Sequence, residues 1–526
     1  MKPTPNPTPI LAPVSRSLAG LVEDLAVVDR AIAIEDVSLD SRKVRPGGLF
    51  LACRGRTLHA ISRAGEAVAR GARAILWEPS PGVRAPGDLA AGTFIAAVPN
   101  LSRHAGAIAD RFFGAPSAAL WVAGITGTNG KTTSAWLLAQ ALNALRRRCG
   151  YLGTLGHGFP EALVSGEHTT ADAVSVHREL ATLRDAGAVC AAMEVSSHAL
   201  DQHRVGGVRF RVAAFTNLTR DHLDYHGTME VYGAAKARLF QWPGLASRVI
   251  NVDDAFGAGL ASREPIGPGL ITVCRQSSGR AHSQTHAGQG AGYVRAVAVP
   301  RTTDRGLALQ IETHQGEGDL VVPLIGDFNA DNAMLVLGLL IALDVPLAQG
   351  LAALSQCAAP SGRMEAIGGG DAPLAIVDYA HTPDALAKAL RAARAHCRGR
   401  LHLVFGCGGD RDQGKRPIMG RIAAELADRI VLTDDNPRTE LAAQIVADIA
   451  AGLTATAPVQ VTHDRATAIR MTLRDALPGD VVLVAGKGHE QYQIVGTARL
   501  PFSDQRVIRE SLGCAVSSEV APCNAR

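Results

Sequence analysis

The stretch GITGTNGKTT, residues 124–133, constrains this chain most, because it joins an apolar run, LWVA, to a helix-like run, SAWLLAQALNALRRR. A strand, a glycine-rich turn and a helix in this order bring backbone N–H groups and a positive helix end together, where a phosphate can bind. Lys131 can reach the β- and γ-phosphates, and the Thr132 hydroxyl can bind magnesium. A purely structural turn is the alternative. We predict an ATP-binding loop made of these residues: Gly127, Thr128, Asn129, Gly130, Lys131, Thr132 and Thr133.

The size and composition of the chain are those of a multidomain globular protein. A chain of 526 residues is expected to form about three domains. With 47% hydrophobic residues, 19% charged residues and a net charge of +4, it shows neither a basic stripe for nucleic acid nor an apolar stretch for a membrane. Its cysteines are scattered without CxxC spacing, which indicates reduced thiols rather than disulfides or a zinc site. We expect a cytoplasmic protein with no nucleic-acid partner and no membrane insertion.

Short apolar runs alternate with helix-like runs along most of the chain, which predicts an α/β protein with mostly parallel sheets. A proline-rich leader, 1–34, is expected to be partly disordered, and a small α/β domain follows it at 35–117. A central domain at 118–360 contains the phosphate loop, and a doubly wound, Rossmann-like domain is predicted at 361–526. The polar, glycine-rich residues 275–293 are expected to form a mobile surface insertion.

Polar side chains that suit phosphate chemistry follow the next apolar runs of the central domain. Glu194 ends the run AVCAAME, where a magnesium ligand would be useful, and His222 and Lys236 follow the run FRVAAFTNL. Each has a structural alternative: Glu194 as a helix cap, His222 as a packed core histidine, and Lys236 as a solvated helix residue. Taken together after a phosphate loop, they favour a catalytic site.

A longer set of motifs points to a known family. In order along the chain they are GTNGKTT, EVSSHALDQHRV, TNLTRDHLDYHG, YGAAKARLF, GDFNADNAM, SGRMEAI, VDYAHTPDAL, GGDRDQGKRPIMG, DNPR and GKGHEQYQ. Together they resemble the Mur ligases of peptidoglycan synthesis, and the resemblance runs over most of the chain. It implies three domains: an N-terminal nucleotide-sugar-binding domain, a central P-loop-type ATP-binding domain and a C-terminal Rossmann-like amino-acid-binding domain.

The resemblance also implies a reaction. The γ-phosphate of ATP would pass to the D-glutamate side-chain carboxylate of UDP-N-acetylmuramoyl-L-alanyl-D-glutamate, and an amine of the incoming amino acid would attack the acyl phosphate. Mg²⁺ would be the metal cofactor, and the enzyme is expected to be a monomer. The implied catalytic residues are Lys131, Glu194, His222 and Lys236, with Thr132, Glu194, His222 and a carbamylated Lys236 as the metal-binding set. An anionic carbamate would suit magnesium, whereas an ammonium would repel it.

Residue by residue, the resemblance assigns two further sets of contacts. For the nucleotide-sugar peptide it implies Ser41, Thr169, Thr170, Ser196, Gln202 and Arg204. For the adenine side of ATP it implies Asn329 and Asn332, although Asn329 is an equally good helix cap. The chain departs from the family pattern at His168, where asparagine is common, and at Arg56, Thr57 and Leu58, where the family often has DGH.

The loop DNPR, which follows the run RIVL, discriminates between amino acids in this family. Its resemblance is to the ligases that add meso-diaminopimelate, whose far end carries an ammonium and a carboxylate. Arg438 can hold that carboxylate in a bidentate fork, while an acid and an amide orient the ammonium. A turn that merely caps the next helix is the alternative. The implied amino-acid-binding residues are Arg411, Asp435, Asn436, Pro437, Arg438, Gly486 and Glu490.

Other functions stay open at this level. The same fold serves ligases that add lysine, D-alanyl-D-alanine or folate glutamates. A catalytically silent ATP-binding module is a rival from another class. Against it argues the presence of four residues: Lys131, Glu194, His222 and Lys236. A nucleic-acid motor would require a basic stripe, which the sequence lacks.

Overall fold

The computed structural model describes residues 14–55, 58–87, 92–166, 168–275, 277–303, 306–454 and 457–514. Arg56 and Thr57, two of the positions that depart from the family pattern, lie outside these ranges. The chain divides into two compact units. The first contains Met1–Arg295, Thr313–Gln315 and Met334–Ala353, and the second contains Ala296–Glu312, Gly316–Ala333 and Leu354–Arg526. Both are built from parallel sheets with helices, so the predicted α/β fold class is confirmed.

The first unit begins with a small parallel sheet. Its strands lie in chain order: Asp36–Ser38, Gly48–Ala52, Ala74–Trp77 and Phe94–Ala97. The apolar run GLFLA is buried on both faces, as expected for a strand inside a parallel sheet. Part of the leader also packs here: Arg16–Ser17 pairs antiparallel with Ala33–Ile34. Helical segments around this sheet are Leu18–Leu21, Ser41–Lys43, Ala60–Arg63, Ala64–Ala69, Leu101–Phe112 and Pro116–Ala118.

A larger sheet forms the centre of the first unit. Its parallel strands, in spatial order, are Cys149–Gly153, Cys190–Glu194, Trp121–Thr126, Phe210–Phe215, Ser247–Asn251, Leu270–Cys274 and Gly292–Ala296. An antiparallel hairpin, Gly156–Phe159 with Ala162–Val164, extends the edge next to Cys149–Gly153. The strand Trp121–Thr126 comes first in the chain but lies inside the sheet. The chain therefore adds strands first on one side of it and then on the other, so the strand order reverses here. Ligands bind at such topological switch points, at the carboxyl ends of the strands.

Helices cover this sheet and supply the polar residues of its carboxyl edge. Their bounds are Lys131–Ala144, Ala173–Asp185, Ser197–Asp201, Leu223–His226, Met229–Ala237, Arg238–Gln241, Ala255–Ala261, Ser277–Ala287, Phe328–Ala342 and Leu347–Leu354. Side chains cap several of them; Asp172, for instance, accepts hydrogen bonds from the backbone N–H groups of Val174 and Ser175. The helix Phe328–Ala342 divides its residues between the two units.

Residues 275–293 differ from the expected surface insertion. Most of them form the helix Ser277–Ala287, and Ser283 and His286 on this helix are buried. The Ser283 hydroxyl hydrogen-bonds Thr272 at 2.9 Å and accepts from Arg295 at 2.9 Å, so the helix is attached to two strands of the sheet. The composition is misleading because a few buried hydroxyls, rather than an apolar stripe, hold this helix in place.

The second unit has a sheet in the spatial order Glu365–Gly368, Leu374–Asp378, Val481–Ala485, Leu401–Phe405, Arg429–Leu432 and Val459–Val461. All of its strands except the first are parallel. Helices pack on both faces: Pro383–Arg394, Lys415–Leu426, Ala442–Ala450, Arg465–Asp475 and Asp504–Ser511. This is the doubly wound arrangement that the alternating runs predicted. Further strands are Arg301–Thr303, Gly306–Thr313 and Gly316–Val322, and Tyr492–Val495 pairs with Ala498–Pro501 as a hairpin.

Two sequence expectations concern what the chain does not contain. Within the described residues, no helix is long and apolar enough to cross a membrane. The eight cysteines in the same ranges are free.

A buried ion pair holds the last helices of the second unit together. Arg465 begins the helix Arg465–Asp475, and its Nε and Nη2 donate to the two carboxylate oxygens of Asp504, each at 2.8 Å. Both side chains are fully buried. Arg465 Nη2 also donates to the carbonyl of Ala485, at the end of a central strand, at 3.0 Å. Because removal of either partner would leave a buried charge uncompensated, this pair is strongly coupled to folding.

We therefore expect Arg465→Met to lower the free energy of unfolding by about 3–5 kcal/mol, because it leaves Asp504 as an unpaired buried carboxylate. Arg474→Met on the same helix is the matched control, since Arg474 and its partner Asp475 are both exposed. The control should change stability by less than about 1 kcal/mol. Urea unfolding followed by circular dichroism measures both, and equal losses in the two variants would contradict the prediction.

Candidate active site

The predicted phosphate loop lies at the switch point of the large sheet, after the strand Trp121–Thr126. Gly130, with φ +84°, precedes the helix Lys131–Ala144, and no side chain caps the first turn of that helix. Its N–H groups are therefore available to an anion. Gly127 has φ +148°, and a Cβ there would collide with the hydroxyl of Thr216. That hydroxyl donates to the carbonyl of Asn129 at 2.6 Å, so the neighbouring strand end holds the loop in shape.

Two lysines meet at one backbone carbonyl of this loop. Lys131 Nζ donates to the carbonyl oxygens of Gly127 at 3.0 Å and Thr128 at 2.8 Å, and Lys236 Nζ donates to the same Gly127 oxygen at 2.7 Å. Lys236 is 1% exposed, which rules out the solvated helix residue that was its alternative. Burial, reinforced by the charge of Lys131, lowers the pKa of Lys236 to about 6.

Tyr232 connects this pair of lysines to the predicted histidine. Its hydroxyl shares a 3.1 Å hydrogen bond with the Thr128 hydroxyl, and Lys236 Nζ lies 4.4 Å from the centre of its ring. The ring of His222 lies 6.0 Å from the ring of Tyr232 and 4.9 Å from that of His198. His222 is not the packed core histidine of the structural alternative, because 45% of its side chain is exposed.

Glu194 is fully buried at the end of its strand, and its carboxylate is the centre of a second group. Oε2 accepts from the Thr132 hydroxyl at 2.8 Å, and Oε1 accepts from the Thr154 backbone N–H at 2.8 Å and from the Tyr151 hydroxyl. Ser196, rather than Glu194, caps the following helix. The sequence reading missed Tyr151 and Thr154; the run YLGT, which ends the strand beside Glu194, was the available signal.

The donor set around Glu194 fits magnesium in part. A hydroxyl and a carboxylate in contact, at the start of a phosphate-loop helix, are the hard oxygen ligands that Mg²⁺ takes alongside water and phosphate oxygens. In the described ranges no group of three His, Cys, Asp or Glu side chains is arranged to hold a metal. His222 and Lys236 contact Tyr232 rather than this pair. The geometry brings Thr132 and Glu194 into contact, and magnesium binding by these two residues, His222 and Lys236 stays a prediction.

A cavity of about 230 Å³ opens beside Glu194. Thr169, Thr170 and Lys43 line it, and Lys43 lies on the same short helical turn as the predicted Ser41. The Thr169 hydroxyl hydrogen-bonds the Thr154 hydroxyl at 3.1 Å, and the Thr170 hydroxyl donates to the carbonyl of Glu194 at 2.8 Å. His168, which stands where the family commonly has asparagine, also lines this cavity.

The remaining predicted nucleotide-sugar contacts are joined by hydrogen bonds. Arg204 donates to the carbonyl of Thr170 at 3.0 Å and through Nε and Nη2 to Gln202 Oε1, at 3.0 and 2.7 Å. Burial lowers the pKa of Arg204. Ser196 contributes its backbone N–H to the Thr170 hydroxyl at 3.1 Å. Gln202 Nε2 donates to the hydroxyl of Tyr225. Tyr225 lies in the motif TNLTRDHLDYHG, but it was not among the predicted contacts.

Three of the predicted binding residues, Ser41, Asn329 and Asn332, make hydrogen bonds outside the groups described so far. The Ser41 hydroxyl donates to Glu66 at 2.7 Å, in the small sheet domain. Asn329 is 2% exposed, and its side chain donates to the carbonyl of Ile325 at 2.7 Å and accepts from Asn332 at 2.8 Å. Asn329 lies inside the helix Phe328–Ala342, so it is not the residue that precedes and caps it.

The DNPR loop of the second unit follows the strand Arg429–Leu432. Asn436 is 3% exposed; its Nδ2 donates to Glu490 Oε2 at 2.9 Å, and its Oδ1 accepts from the backbone N–H of Ile494 at 2.9 Å. Arg438 has φ +51° and pairs through its backbone N–H with the carbonyl of Ile494 at 3.1 Å. The loop is therefore anchored to the hairpin Tyr492–Pro501 and is more than a cap for the next helix.

Asp435 is a buried carboxylate at the carboxyl edge of the sheet. Its residue is 7% exposed, and burial raises the pKa of its carboxyl despite the charges of Arg465 and Lys487. Gly486, with φ +115°, lies so close that a Cβ there would crowd Asp435 Oδ2. A buried carboxylate at a site edge favours a cationic ligand, which would compensate for its lost hydration.

The two predicted arginines lie close to Gly408. Arg438 Nη1 donates to the carbonyl of Gly409 at 2.8 Å. A Cβ placed on Gly408 would lie 2.9 Å from Arg438 Nη1 and 3.8 Å from Arg411 Cγ, so the two side chains flank the same glycine. Pro437 shapes the turn, and its carbonyl packs against Gly409. The structure thus brings together the amino-acid-binding residues that were predicted from separate motifs.

Comparison with protein families gives two matches. Residues 125–340 match the Mur ligase middle domain, and residues 362–488 match the Mur ligase, glutamate ligase domain. The first covers the phosphate loop, Glu194, His222 and Lys236, and the second covers the DNPR loop.

Similar proteins span nearly the whole chain. A protein of Ectopseudomonas mendocina is 48% identical over 93% of this chain and 97% of its own length. One of Pseudomonas aeruginosa is 49% identical over 90% of this chain and 94% of its own. Both are named UDP-N-acetylmuramoyl-L-alanyl-D-glutamate--2,6-diaminopimelate ligase.

Solved structures agree with this. A structure described by the same enzyme name is 34% identical, with a TM-score of 0.69, and the match covers 95% of this chain and 99% of that one. A D-alanyl-D-alanyl ligase from Acinetobacter baumannii, 19% identical with a TM-score of 0.60 over 91% of this chain and 96% of its own, shares the fold alone.

The phosphate loop yields a test. Gly127→Ala should weaken ATP binding about tenfold to a hundredfold, because a non-glycine residue at this φ costs about 1–3 kcal/mol and its Cβ displaces the Thr216 hydroxyl. Gly259→Ala is the matched control: this helical glycine has open space around its Cβ, so the variant should bind ATP like the parent. Isothermal titration measures both affinities. Unchanged binding by Gly127→Ala would show that the loop does not hold the nucleotide.

Proposed function

Because this chain belongs to the Mur ligase family, we propose that it is the ATP-dependent ligase that adds meso-diaminopimelate to UDP-N-acetylmuramoyl-L-alanyl-D-glutamate. It forms an amide bond at the D-glutamate side-chain carboxylate, in the synthesis of the peptidoglycan precursor, and releases ADP and phosphate. The observation that carries the choice of amino acid is the DNPR loop, where a buried carboxylate and an arginine fork lie on one anchored turn.

The reaction has two steps. A carboxylate is a poor electrophile, so its oxygen first attacks the γ-phosphorus of ATP and ADP leaves, which yields an acyl phosphate. The neutral amine of diaminopimelate then attacks the acyl carbon, loses a proton, and the tetrahedral intermediate expels phosphate. The enzyme contributes mainly by positioning the reactants and neutralising charge.

Residues around the phosphate loop serve the first step. The N–H groups of the loop and Lys131 bind the phosphate oxygens and stabilise the charge on the transferring group. Thr132 and Glu194 would hold Mg²⁺, which supplies further charge neutralisation when it is bound. Tyr151 and Thr154 orient the Glu194 carboxylate, because they occupy the oxygen that faces away from Thr132.

We also propose carbamylation of Lys236. A neutral lysine amine adds carbon dioxide and loses a proton, which forms an N–C bond and an anionic group. The support is its buried position beside Lys131, since a carbamate there would place a negative charge next to the Lys131 ammonium and form an attractive pair. His222 would act with it at the edge of the site through Tyr232.

The substrates are assigned to the domains as the sequence predicted. The domain at 35–117 and the cavity beside Glu194 would hold the nucleotide-sugar peptide, with Arg204 and Gln202 suited to its carboxylate and amide groups. The domain at 118–360 would hold ATP, with Asn329 and Asn332 on its adenine side. The domain at 361–526 would hold diaminopimelate. A cytoplasmic location, a monomeric state and the lack of a nucleic-acid partner stay predictions.

Diaminopimelate suits the second unit better than lysine does. Its distal carboxylate would pair with Arg438 and Arg411, and its distal ammonium with Asp435, Asn436 and Glu490. Lysine offers the ammonium without the carboxylate and would leave the arginines unpaired, at a cost of about 1–3 kcal/mol.

The decisive experiment supplies UDP-muramoyl dipeptide, ATP and an equimolar mixture of lysine and diaminopimelate. Mass analysis should find a product enlarged by one diaminopimelate residue, with one phosphate released per product, because only this amino acid satisfies both charges of the loop. Lysine as the main product would contradict the choice of amino acid. ATP binding without phosphate release would instead support a silent binding module.

Arg438→Met should lower kcat/KM for diaminopimelate about tenfold to a hundredfold and change kcat/KM for lysine much less, because only the distal carboxylate loses a partner. Arg391→Met, at an exposed position on the helix Pro383–Arg394 of the same unit, is the control and should keep the parent ratio of the two values. Steady-state phosphate release measures both ratios. An equal loss for both amino acids would mean that Arg438 supports the loop without reading the carboxylate.

A further inference from the structure

Lys487 is a buried cation that the sequence reading left without a role. It follows the central strand Val481–Ala485, next to Gly486, and its side chain is completely buried. Its Nζ donates to Asn436 Oδ1 at 3.0 Å and to Glu490 Oε2 at 3.0 Å. Both partners belong to the amino-acid-binding set, and they come from different loops.

Burial of an ammonium is costly unless charged and polar partners compensate for the lost hydration. Few lysines in proteins are fully buried, and those that are have such partners. Lys487 donates its hydrogen bonds to the side chains of Asn436 and Glu490, rather than to backbone groups that would merely hold a loop. Its position therefore couples the DNPR loop to the loop that carries Glu490.

The arrangement leaves Glu490 with one oxygen for a ligand. Lys487 Nζ and Asn436 Nδ2 both donate to Oε2, at 3.0 and 2.9 Å. Among the described residues, no hydrogen bond to Oε1 accompanies them. A side chain that is 16% exposed can present that oxygen to an ammonium group. Lys487 thus orients the carboxylate without consuming its second acceptor.

The charges around Lys487 favour a cationic ligand. Three carboxylates, Asp435, Glu490 and Asp504, act on one another together with two cations, Arg465 and Lys487. The carboxylates of Asp435 and Glu490 would suit the distal ammonium of diaminopimelate. Without Lys487, Glu490 and Asn436 would lose the group that fixes their geometry.

We propose that Lys487 is a positioning residue for the incoming amino acid: it aligns Glu490 and Asn436 so that they orient the ammonium of diaminopimelate. This inference rests on the proposed function, because it concerns the same amino-acid site. Lys487 acts through its two partners and does not itself contact the ligand.

The test compares Lys487→Met with the parent in steady-state assays in which each of the three substrates is varied in turn. The KM for diaminopimelate should rise about tenfold to a hundredfold, since charge-assisted hydrogen bonds that orient the site are lost. The KM values for ATP and for the nucleotide-sugar peptide should stay within about twofold, because their sites are built from other residues. Lys388→Met, whose parent side chain is exposed and pairs with Asp384, is the matched control and should match the parent.

A double-mutant cycle separates positioning from a merely structural role. If Lys487 acts through Glu490, Lys487→Met combined with Glu490→Gln should raise the KM for diaminopimelate by far less than the product of the single effects. Independent, multiplying effects would overturn the proposal, as would equal rises in all three KM values. The double variant also removes both partners of the ion pair, so it is less prone to misfold than Lys487→Met alone. If Lys487→Met does not fold, the double variant is compared with Glu490→Gln: an equal KM for diaminopimelate supports the proposal, and a further rise overturns it.

The parent assay distinguishes failure of the proposed function from failure of the Lys487 proposal alone. A parent enzyme that ligates no diaminopimelate would overturn the proposed function and this inference with it. A parent enzyme that ligates diaminopimelate, together with a Lys487→Met variant whose KM for diaminopimelate is unchanged, would overturn the inference alone.

Discussion

The carbonyl oxygen of Gly127 is the point on which the nucleotide site depends, because Lys131 and Lys236 both donate to it. Burial disfavours the charged form of Lys236, and the nearby charge of Lys131 adds to this effect, so the pKa of Lys236 is lowered to about 6. The positive φ of Gly127 and the hydroxyl of Thr216 keep this carbonyl in place. The strain is concentrated where anionic phosphates or a carbamate would relieve it.

The predicted amino-acid site of the second unit contains buried carboxylates, whereas the nucleotide site contains lysines. The Lys487 ammonium pairs with the Glu490 carboxylate, and burial raises the pKa of Asp435. The bidentate pair of Arg465 with Asp504 supports this region, and both of its side chains are fully buried. Each site therefore holds charged groups that suit its proposed ligand: the Lys131 ammonium for the phosphates, and the Asp435 and Glu490 carboxylates for an ammonium. Such sites give up some stability for complementarity to a ligand.

Much of the fold could be read from the sequence, because continuous apolar runs such as VVLVA and GLFLA can only be buried strands. The helix Ser277–Ala287 was missed, since buried hydroxyls hold it and leave no apolar period to detect. Lys236 shows the same limit at the site: on a helix with ordinary composition, nothing local distinguishes a buried lysine from a solvated one. Tyr151, Thr154, Tyr225 and Tyr232 were missed for this reason too, because their roles depend on partners far away in the chain.

By itself the sequence determined the α/β class and the phosphate loop and, through resemblance, predicted the reaction and the amino acid that is added. These depend on local patterns: an apolar strand, a glycine turn, a helix start and a short charged loop. Only the tertiary structure decided that Lys131 and Lys236 converge on one oxygen, that Glu194 faces Thr132, and that Lys487 joins Asn436 to Glu490. The physical reason is that burial and charge pairing are properties of three-dimensional packing: they arise where separate strands end at the same edge of a sheet.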